Sequence, residues 1–333
     1  MRKIIGMTAF AVAILIFMSA CSSGISPIKG DEDDKKTVAK VLGEPVYLEE
    51  VRFLVKSCKT EMQNSYGDDI WNDGESAEKY RAELEEKVEN AMKINPAFLS
   101  LCDEYDIDIN DKDTKNYVKE YINSFTTEIG GEKEYKKQLK ENGVTDSYLR
   151  YVIAIEGNRE KLRQELCKDG KIDDSDETAR EAVYGDEFIR TLHVLVQNDE
   201  GESVEDNRKK AEEALEKLDE GEPFNRIIGR YSEDVLMTTT DGYYFMRGEY
   251  DKAYEEAAFA LSENEYSGIV ETKDGFYIIK RLPKDNDYIE KNFQTLKDRY
   301  LFVMFERLIE ARSGEASVEY TEYGNKLDLL NLG

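Results

Sequence analysis

The sequence predicts an α+β chain in which a small antiparallel sheet with its own helices interrupts a mainly α-helical body. Three observations carry this. Apolar residues recur at helical spacing from Leu48 to about Cys167, and again from Tyr288 to Arg312. Between roughly Gly185 and Leu282 the pattern changes to β-branched and apolar runs separated by turn residues. The length of 333 residues suits about two domains, and 40% apolar residues suffice to give each a core.

The N-terminus is read first. Met1-Arg2-Lys3 followed by the apolar run Ile4 to Ala20 has the basic start and apolar stretch of a secretory signal. A retained anchor is the alternative, since the run is just under the ~20 residues of a membrane span. Met18-Ser19-Ala20-Cys21 resembles a bacterial lipobox, in which Cys21 is lipidated and becomes the mature N-terminus. Ser22 to Lys36, with its Asp31-Glu32-Asp33-Asp34 run, reads as a flexible tether.

Thr37 to Tyr47 holds two short apolar runs around Gly43-Glu44, a hairpin or an extended entry. Helices follow. Tyr80, Leu84, Val88 and Met92 mark one that Asn95-Pro96 ends, and Val118, Ile122 and Phe125 mark another. Thr145 reads as the N-cap of a long helix with Tyr148, Leu149, Val152 and Ile155 on its apolar face. None of these stripes is covered alone, so the helices share a core. Asp106-Ile-Asp108-Ile-Asn110 starts like a calcium loop. Asp111 stands where such a loop needs glycine, however, and Tyr117 where it needs a bidentate glutamate, so a loop leading into a helix N-cap is the better reading.

In the central segment Phe188 to Val196 reads as a buried strand. Ser203 caps a helix carrying Ala211, Ala214, Leu215 and Leu218, which stops at Gly221, and Pro223 opens a short helix through Ile227 and Ile228. Gly268 to Thr272 and Phe276 to Lys280 form two strands joined by Lys273-Asp274-Gly275. The expected organisation is a signal peptide at 1–20, a lipidated N-terminus and linker at 21–36, a helical part at 37–184, the α+β module at 185–283, and a helix and tail at 284–333 that complete the helical domain.

Composition removes several function classes. A net charge of −26 argues against nucleic acid, because nothing neutralises a run of phosphates. The single histidine excludes zinc sites built from two or three imidazoles, and neither a metal nor a cofactor is expected. Beyond Cys21 the cysteines are Cys58, Cys102 and Cys167, an odd number that permits no complete disulfide framework. Cys58 falls on the stripe Val51, Leu54, Cys58, Met62 and reads as a small core residue.

The module then shows its kinship. Arg190-Thr-Leu-His193-Val-Leu-Val196, Arg230-Tyr-Ser-Glu-Asp234, Gly242-Tyr-Tyr-Phe-Met-Arg-Gly248, Ala257-Ala-Phe-Ala-Leu261 and Ser267 to Lys280 resemble, in this order, the strands and helices of parvulin-type peptidyl-prolyl cis-trans isomerases. With the lipobox and the helical flanks the chain is similar to the PrsA/SurA-like extracytoplasmic foldase lipoproteins, whose parvulin module is inserted in a mainly helical chaperone domain. The resemblance implies that His193 is the imidazole in the floor of an isomerase site and that Asp234 takes the adjacent Asp-or-Cys position. Tyr250 and Tyr254 stand where the family usually has methionine and phenylalanine to hold the proline, and Phe259 lines the same pocket. Tyr277 stands where the family has a second histidine.

The chemistry gives these residues a rationale. Rotation about a peptide bond costs about 18–20 kcal/mol, and no covalent bond to the enzyme is needed to lower it. An apolar pocket that grips the proline and excludes water favours the twisted amide, and hydrogen bonds beside it favour it further. By this reading the chain is a foldase on the outer face of the cell membrane, acting on unfolded or newly secreted polypeptides that contain X-Pro. The acidic loop Gln197 to Glu202 would repel phosphorylated substrates. The alternative is a non-catalytic chaperone with a degenerate module, motivated by Tyr250, Tyr254 and Tyr277. A solute-binding lipoprotein would need two α/β lobes that the helical first half does not supply.

Overall fold

The structure is a computed structural model that describes residues 35–72, 74–198, 203–238 and 241–332. The segment read as a signal, the lipobox with Cys21, most of the tether and residues 199–202 of the acidic loop lie outside the described residues. Backbone contacts divide the chain into two compact units. One runs up to Lys171 and resumes at Arg307, and the other is Ile172–Glu306.

The first unit opens with β1 (Thr37–Val41) and β2 (Glu44–Tyr47), an antiparallel hairpin. Leu42 and Gly43 turn it at φ 51° and 86°, the pair of left-handed residues that a two-residue hairpin needs. The helices α1 (Leu48–Tyr66), α2 (Glu75–Met92), α3 (Ile94–Glu104), α4 (Lys112–Glu128), α5 (Glu132–Asn142) and α6 (Asp146–Lys168) follow. Thr145 caps α6, its hydroxyl accepting the Tyr148 N–H at 3.0 Å. Asp111 caps α4, accepting the Thr114 N–H at 2.7 Å. Among the described residues no group of three or more Asp, Glu, Cys or His side chains is placed to hold a metal ion.

Two details differ from the sequence reading. Asn95-Pro96 does not merely end a helix. α2 stops at Met92, and Pro96 sits in the first turn of α3, where an N–H has no intrahelical acceptor to lose. The second detail is an unexpected strand, β7 (Val318–Tyr320), which pairs antiparallel with β1 and makes the sheet order β2-β1-β7. Only three residues long, it carries too little periodicity to stand out in sequence. Val51, Leu54, Cys58 and Met62 of α1 are all buried in this unit's core, with Val88, Met92 and Leu149.

The second unit contains α7 (Asp176–Tyr184), β3 (Phe188–Gln197), α8 (Val204–Asp219), α9 (Phe224–Tyr231), β4 (Tyr243–Met246), α10 (Lys252–Ala260), β5 (Val270–Thr272) and β6 (Gly275–Leu282). α7 falls within the expected helical part at 37–184, and backbone contacts group it with this sheet-bearing part. The sheet is antiparallel throughout with order β4-β3-β6-β5, so the apolar strand β3 is internal. β6 begins at Gly275, whose φ is 141°; a Cβ there would lie 2.1 Å from the Val196 carbonyl oxygen, so only glycine lets the hairpin close against β3. The strand expected from Gly268 forms only over Val270–Thr272. α11 (Asn286–Gly314) departs from helical dihedrals at Asn292 and crosses from the second unit into the first. The chain is α+β, mainly helical with small antiparallel sheets.

Candidate active site

The alternation of β3 sets the site. Leu192 and Val194 face a core shared with α8 and α9 that includes Ala214, Leu218, Ile227 and Ile228. Ile189 and Leu195 face the other way, into a core with Tyr254 and Ala258 of α10 and with Tyr277 and Ile279 of β6. Thr191 and His193 share that second face by period two. Register places His193 opposite Ile279 and Leu195 opposite Tyr277.

β4 pairs with β3 only over Phe188–Thr191, which leaves the far half of that edge without a strand. The segment after α9 completes it. Glu233 N–H donates to the Leu195 carbonyl at 2.8 Å, the Ser232 hydroxyl accepts the Leu195 N–H at 3.2 Å, and the Glu233 carboxylate accepts the Gln197 N–H at 2.6 Å. The Met237 sulfur takes the His193 N–H at 3.3 Å. Buried backbone groups demand such partners, and satisfying them here delivers the next residue, Asp234, to the imidazole.

Asp234 Oδ2 lies 3.1 Å from His193 Nε2 and accepts the Tyr243 O–H at 3.1 Å, while Oδ1 accepts the Leu236 N–H at 2.9 Å. These bonds, the one with His193 foremost, hold its carboxyl below the usual carboxylate range. An ionised carboxylate only accepts, so Nε2 carries the proton of the neutral ring. Nδ1 is then an acceptor, and the Tyr254 hydroxyl meets it at 3.1 Å. Tyr254 in turn lies 3.0 Å from the Thr191 hydroxyl. The result is one directed chain from Thr191 through Tyr254 and His193 to Asp234, with Tyr243 closing the far end.

Tyr277 stands edge-on to the imidazole, with ring centroids 5.0 Å apart at 89°, and edge-on to Tyr254 at 5.1 Å. Its hydroxyl makes no hydrogen bond to the described residues. Burial pushes its pKa well up, so it stays a donor. Tyr250 stacks on Tyr254 at 5.0 Å, and Phe245 meets both Tyr250 (4.7 Å) and Phe259 (5.7 Å) edge-on. Burial raises the Tyr250 hydroxyl to about 12. Glu255 fixes this wall from behind, one carboxylate oxygen accepting the N–H groups of Gly248, Glu249 and Tyr250 at 2.7, 2.8 and 2.9 Å.

The structure therefore brings His193, Asp234, Tyr254 and Tyr277 into direct contact. Tyr250 and Phe259 stand one layer away, joined through Phe245. Tyr254 is not the open pocket wall that its helix position suggests, because only 1% of it is exposed and its hydroxyl is committed to His193 and Thr191. Sequence reasoning missed Thr191, Tyr243 and Glu255. Thr191 was within reach, since it lies two residues before His193 and shares its face. Val235 and Leu236, beside Asp234, are exposed at 76% and 61% and edge the site with apolar surface.

Comparison with known proteins places this constellation. The family model for the PPIC-type PPIase domain matches residues 193–282, and that for the SurA-like N-terminal domain matches residues 1–166. Residues 193–282 thus form a parvulin domain of the PPIC-type PPIase family. Foldase protein PrsA of Caldanaerobacter subterraneus is 26% identical over 287 residues, covering 84% of this chain and 82% of that protein. Foldase protein PrsA of Clostridium acetobutylicum is 23% identical over 308 residues and covers 87% of each. A crystal structure of PrsA from Bacillus subtilis is 21% identical, covers 72% of this chain and 88% of that one, and superposes with a TM-score of 0.29. The match to the PPIase domain begins at His193, within β3, and the match to the SurA-like domain covers most of the first unit. The PPIase domain and the PrsA relatives together support a peptidyl-prolyl cis-trans isomerase with a foldase role.

Proposed function

We propose that the chain is tethered to the outer face of the cell membrane through Cys21 and isomerises X-Pro bonds in unfolded secreted polypeptides. What carries the reading is the Tyr277 ring set edge-on to an imidazole locked between Asp234 and Tyr254, its hydroxyl making no hydrogen bond among the described residues. The proline ring would lie against Tyr250 and Phe259, near the exposed Val235 and Leu236. As the amide twists, its nitrogen loses conjugation and becomes a better hydrogen-bond acceptor. A donor held beside it binds the twisted state more strongly than the planar one. Tyr277 supplies that donor. Edge-on packing against His193 and Tyr254 holds its ring in place.

In this reading His193 and Asp234 form the floor, and Tyr254 positions His193 from below rather than touching proline. The lipobox motif and the apolar run before it support the anchored, extracytoplasmic location. Among the described residues no helix is long and apolar enough to cross a membrane. The decisive experiment follows cis-to-trans conversion of an Ala-Pro-Phe peptide by protease-coupled absorbance or NMR exchange. Acceleration that falls at least tenfold in His193→Ala and Asp234→Ala supports the reading. Equal rates in parent, variants and buffer would leave a chaperone with a silent module.

A further inference from the structure

The first unit holds a pocket of about 580 Å³ that the isomerase site does not use. Its volume falls in the range of small-ligand sites, about 300–1,000 Å³. Six carboxylates line it: Glu44, Glu49, Glu50, Asp103, Asp106 and Asp108. No lysine or arginine does, and among the described residues none of the six is in an ion pair. Like charges therefore face one another uncompensated. The Asp103 charge adds to burial in raising the Glu44 carboxyl, and Glu49 adds to burial in raising Glu50.

Two carboxylates are already oriented. Glu50 is 3% exposed and accepts the Asn95 amide at 2.8 Å, while Glu49 accepts the Thr145 and Ser147 hydroxyls at 2.6 and 2.5 Å. A second, independent feature points to a ligand. The Tyr148 side chain lines the same pocket at 1% exposure, and its hydroxyl has no hydrogen-bond partner. The Asn95 amide stands near it, outside ordinary hydrogen-bond geometry, and only partly offsets the burial that raises its pKa. A buried hydroxyl oxygen without a donor is costly, and a ligand N–H would supply that donor.

The chemistry of the lining selects the occupant. Carboxylates call for a cation, and the aromatic faces of Tyr47 and Tyr151 suit a flat one. A guanidinium offers five donors in a plane, stacks on rings and pairs with two carboxylates at once. One wall is formed by Glu44, Pro45 and Tyr47 of β2, the edge strand of its sheet, which suits an extended chain better than a free ion. We propose that this pocket is a binding site for an arginine side chain of an extended polypeptide, with Glu50 and the rim carboxylates taking its charge and Tyr148 accepting one N–H.

The proposal rests on the foldase reading only in taking a polypeptide as ligand, so its test contains no proline. The full chain is titrated calorimetrically with acetyl-Ala-Arg-Ala-amide, with the same peptide carrying neutral citrulline, and with argininamide. The arginine peptide should bind about tenfold or more tighter than the citrulline peptide, as expected for losing a charge-assisted pair. Tyr148→Phe, which deletes only the orphaned hydroxyl, and Asp103→Asn on the exposed rim should each weaken it about threefold to tenfold. Equal affinity for the arginine and citrulline peptides, or no loss in both variants, would overturn the site. Argininamide binding as tightly as the peptide would overturn the polypeptide assignment.

Discussion

The Tyr254 hydroxyl lies 3.1 Å from His193 Nδ1, on the opposite side of the ring from Asp234. Both nitrogens of the only imidazole in the chain are thus engaged, one by a donor and one by an acceptor. Tyr254→Phe restores the aromatic residue usual in the family but strips Nδ1 and Thr191 of their partner. Stability should fall by about 1–2 kcal/mol, and kcat/KM about tenfold. A purely structural loss would leave the ring's proton where it was. Because there is one histidine, its 15N signals are unambiguous, and the variant should show mixed Nδ1-H and Nε2-H tautomers where the parent shows one.

Tyr277 tests the donor directly. Tyr277→Phe keeps the edge-on contact with His193 and removes only the hydroxyl, which makes no hydrogen bond to the described residues. Since nothing in the fold depends on that hydroxyl, the melting temperature should hold while kcat/KM falls about tenfold to a hundredfold, the usual worth of one well-placed donor. Tyr277→His should recover activity to within a few fold of the parent. A silent Tyr277→Phe would mean that the twisted amide is stabilised elsewhere.

These two tyrosines also show what was legible in the sequence. Pattern placed the strands, because β3 and β6 are β-branched and apolar runs and Gly275 closes the turn before β6. Ordered motifs placed His193, Asp234 and Tyr277 together, and the structure brings them into contact. What failed was the depth of Tyr254. A tyrosine on a helix face reads alike whether its ring lines a cleft or lies under a sheet, and only tertiary packing decides. Thr191 and Glu255 escaped for a related reason, as their roles are hydrogen bonds across the fold that leave no periodic trace. The pairing of β7 with β1 joins the two ends of the described chain, beyond the reach of local propensity.

Asp234 should make part of the stability pH-dependent. Its carboxyl is held below the ordinary value of about 3.9 chiefly by His193. The folded state therefore favours the ionised form. The contribution is fully present above about pH 4 and is lost as pH falls through the depressed folded value. Urea midpoints of the parent and Asp234→Asn should differ by about 1–2 kcal/mol at pH 6 and converge toward pH 3. A gap constant down to pH 3 would show that the His193 contact does not stabilise the anion.

The thiols should be inert. Cys58 and Cys102 are buried and unpaired, and burial pushes their pKa values up to about 11 and about 12. At pH 8 the thiolate fraction is then about one in a thousand or less. Iodoacetamide should label the native chain at Cys58 and Cys102 only on the timescale of unfolding, and promptly in denaturant. Peptide mapping of the alkylated sites reads this out. Prompt labelling of either in the native state would place that thiol in reach of solvent.

Glu50 carries the opposite pH sign to Asp234. Burial is the main reason that its carboxyl rises to about 7, with Glu49 adding and the Asn95 amide subtracting. Between the ordinary value of about 4.3 and pH 7 the folded state holds a proton that the unfolded chain has released. Stability from this group is fully present below about pH 4 and is lost as pH rises through 7, by at most about 4 kcal/mol. Glu50→Gln cannot ionise and keeps a partner for Asn95, so it should match the parent near pH 4 and exceed it by about 2–3 kcal/mol above pH 7. Guanidinium unfolding of both proteins at pH 5 and pH 8 isolates the difference, because every other titration is common to the pair. Parallel curves would show Glu50 ionised without cost, solvated or paired within the fold.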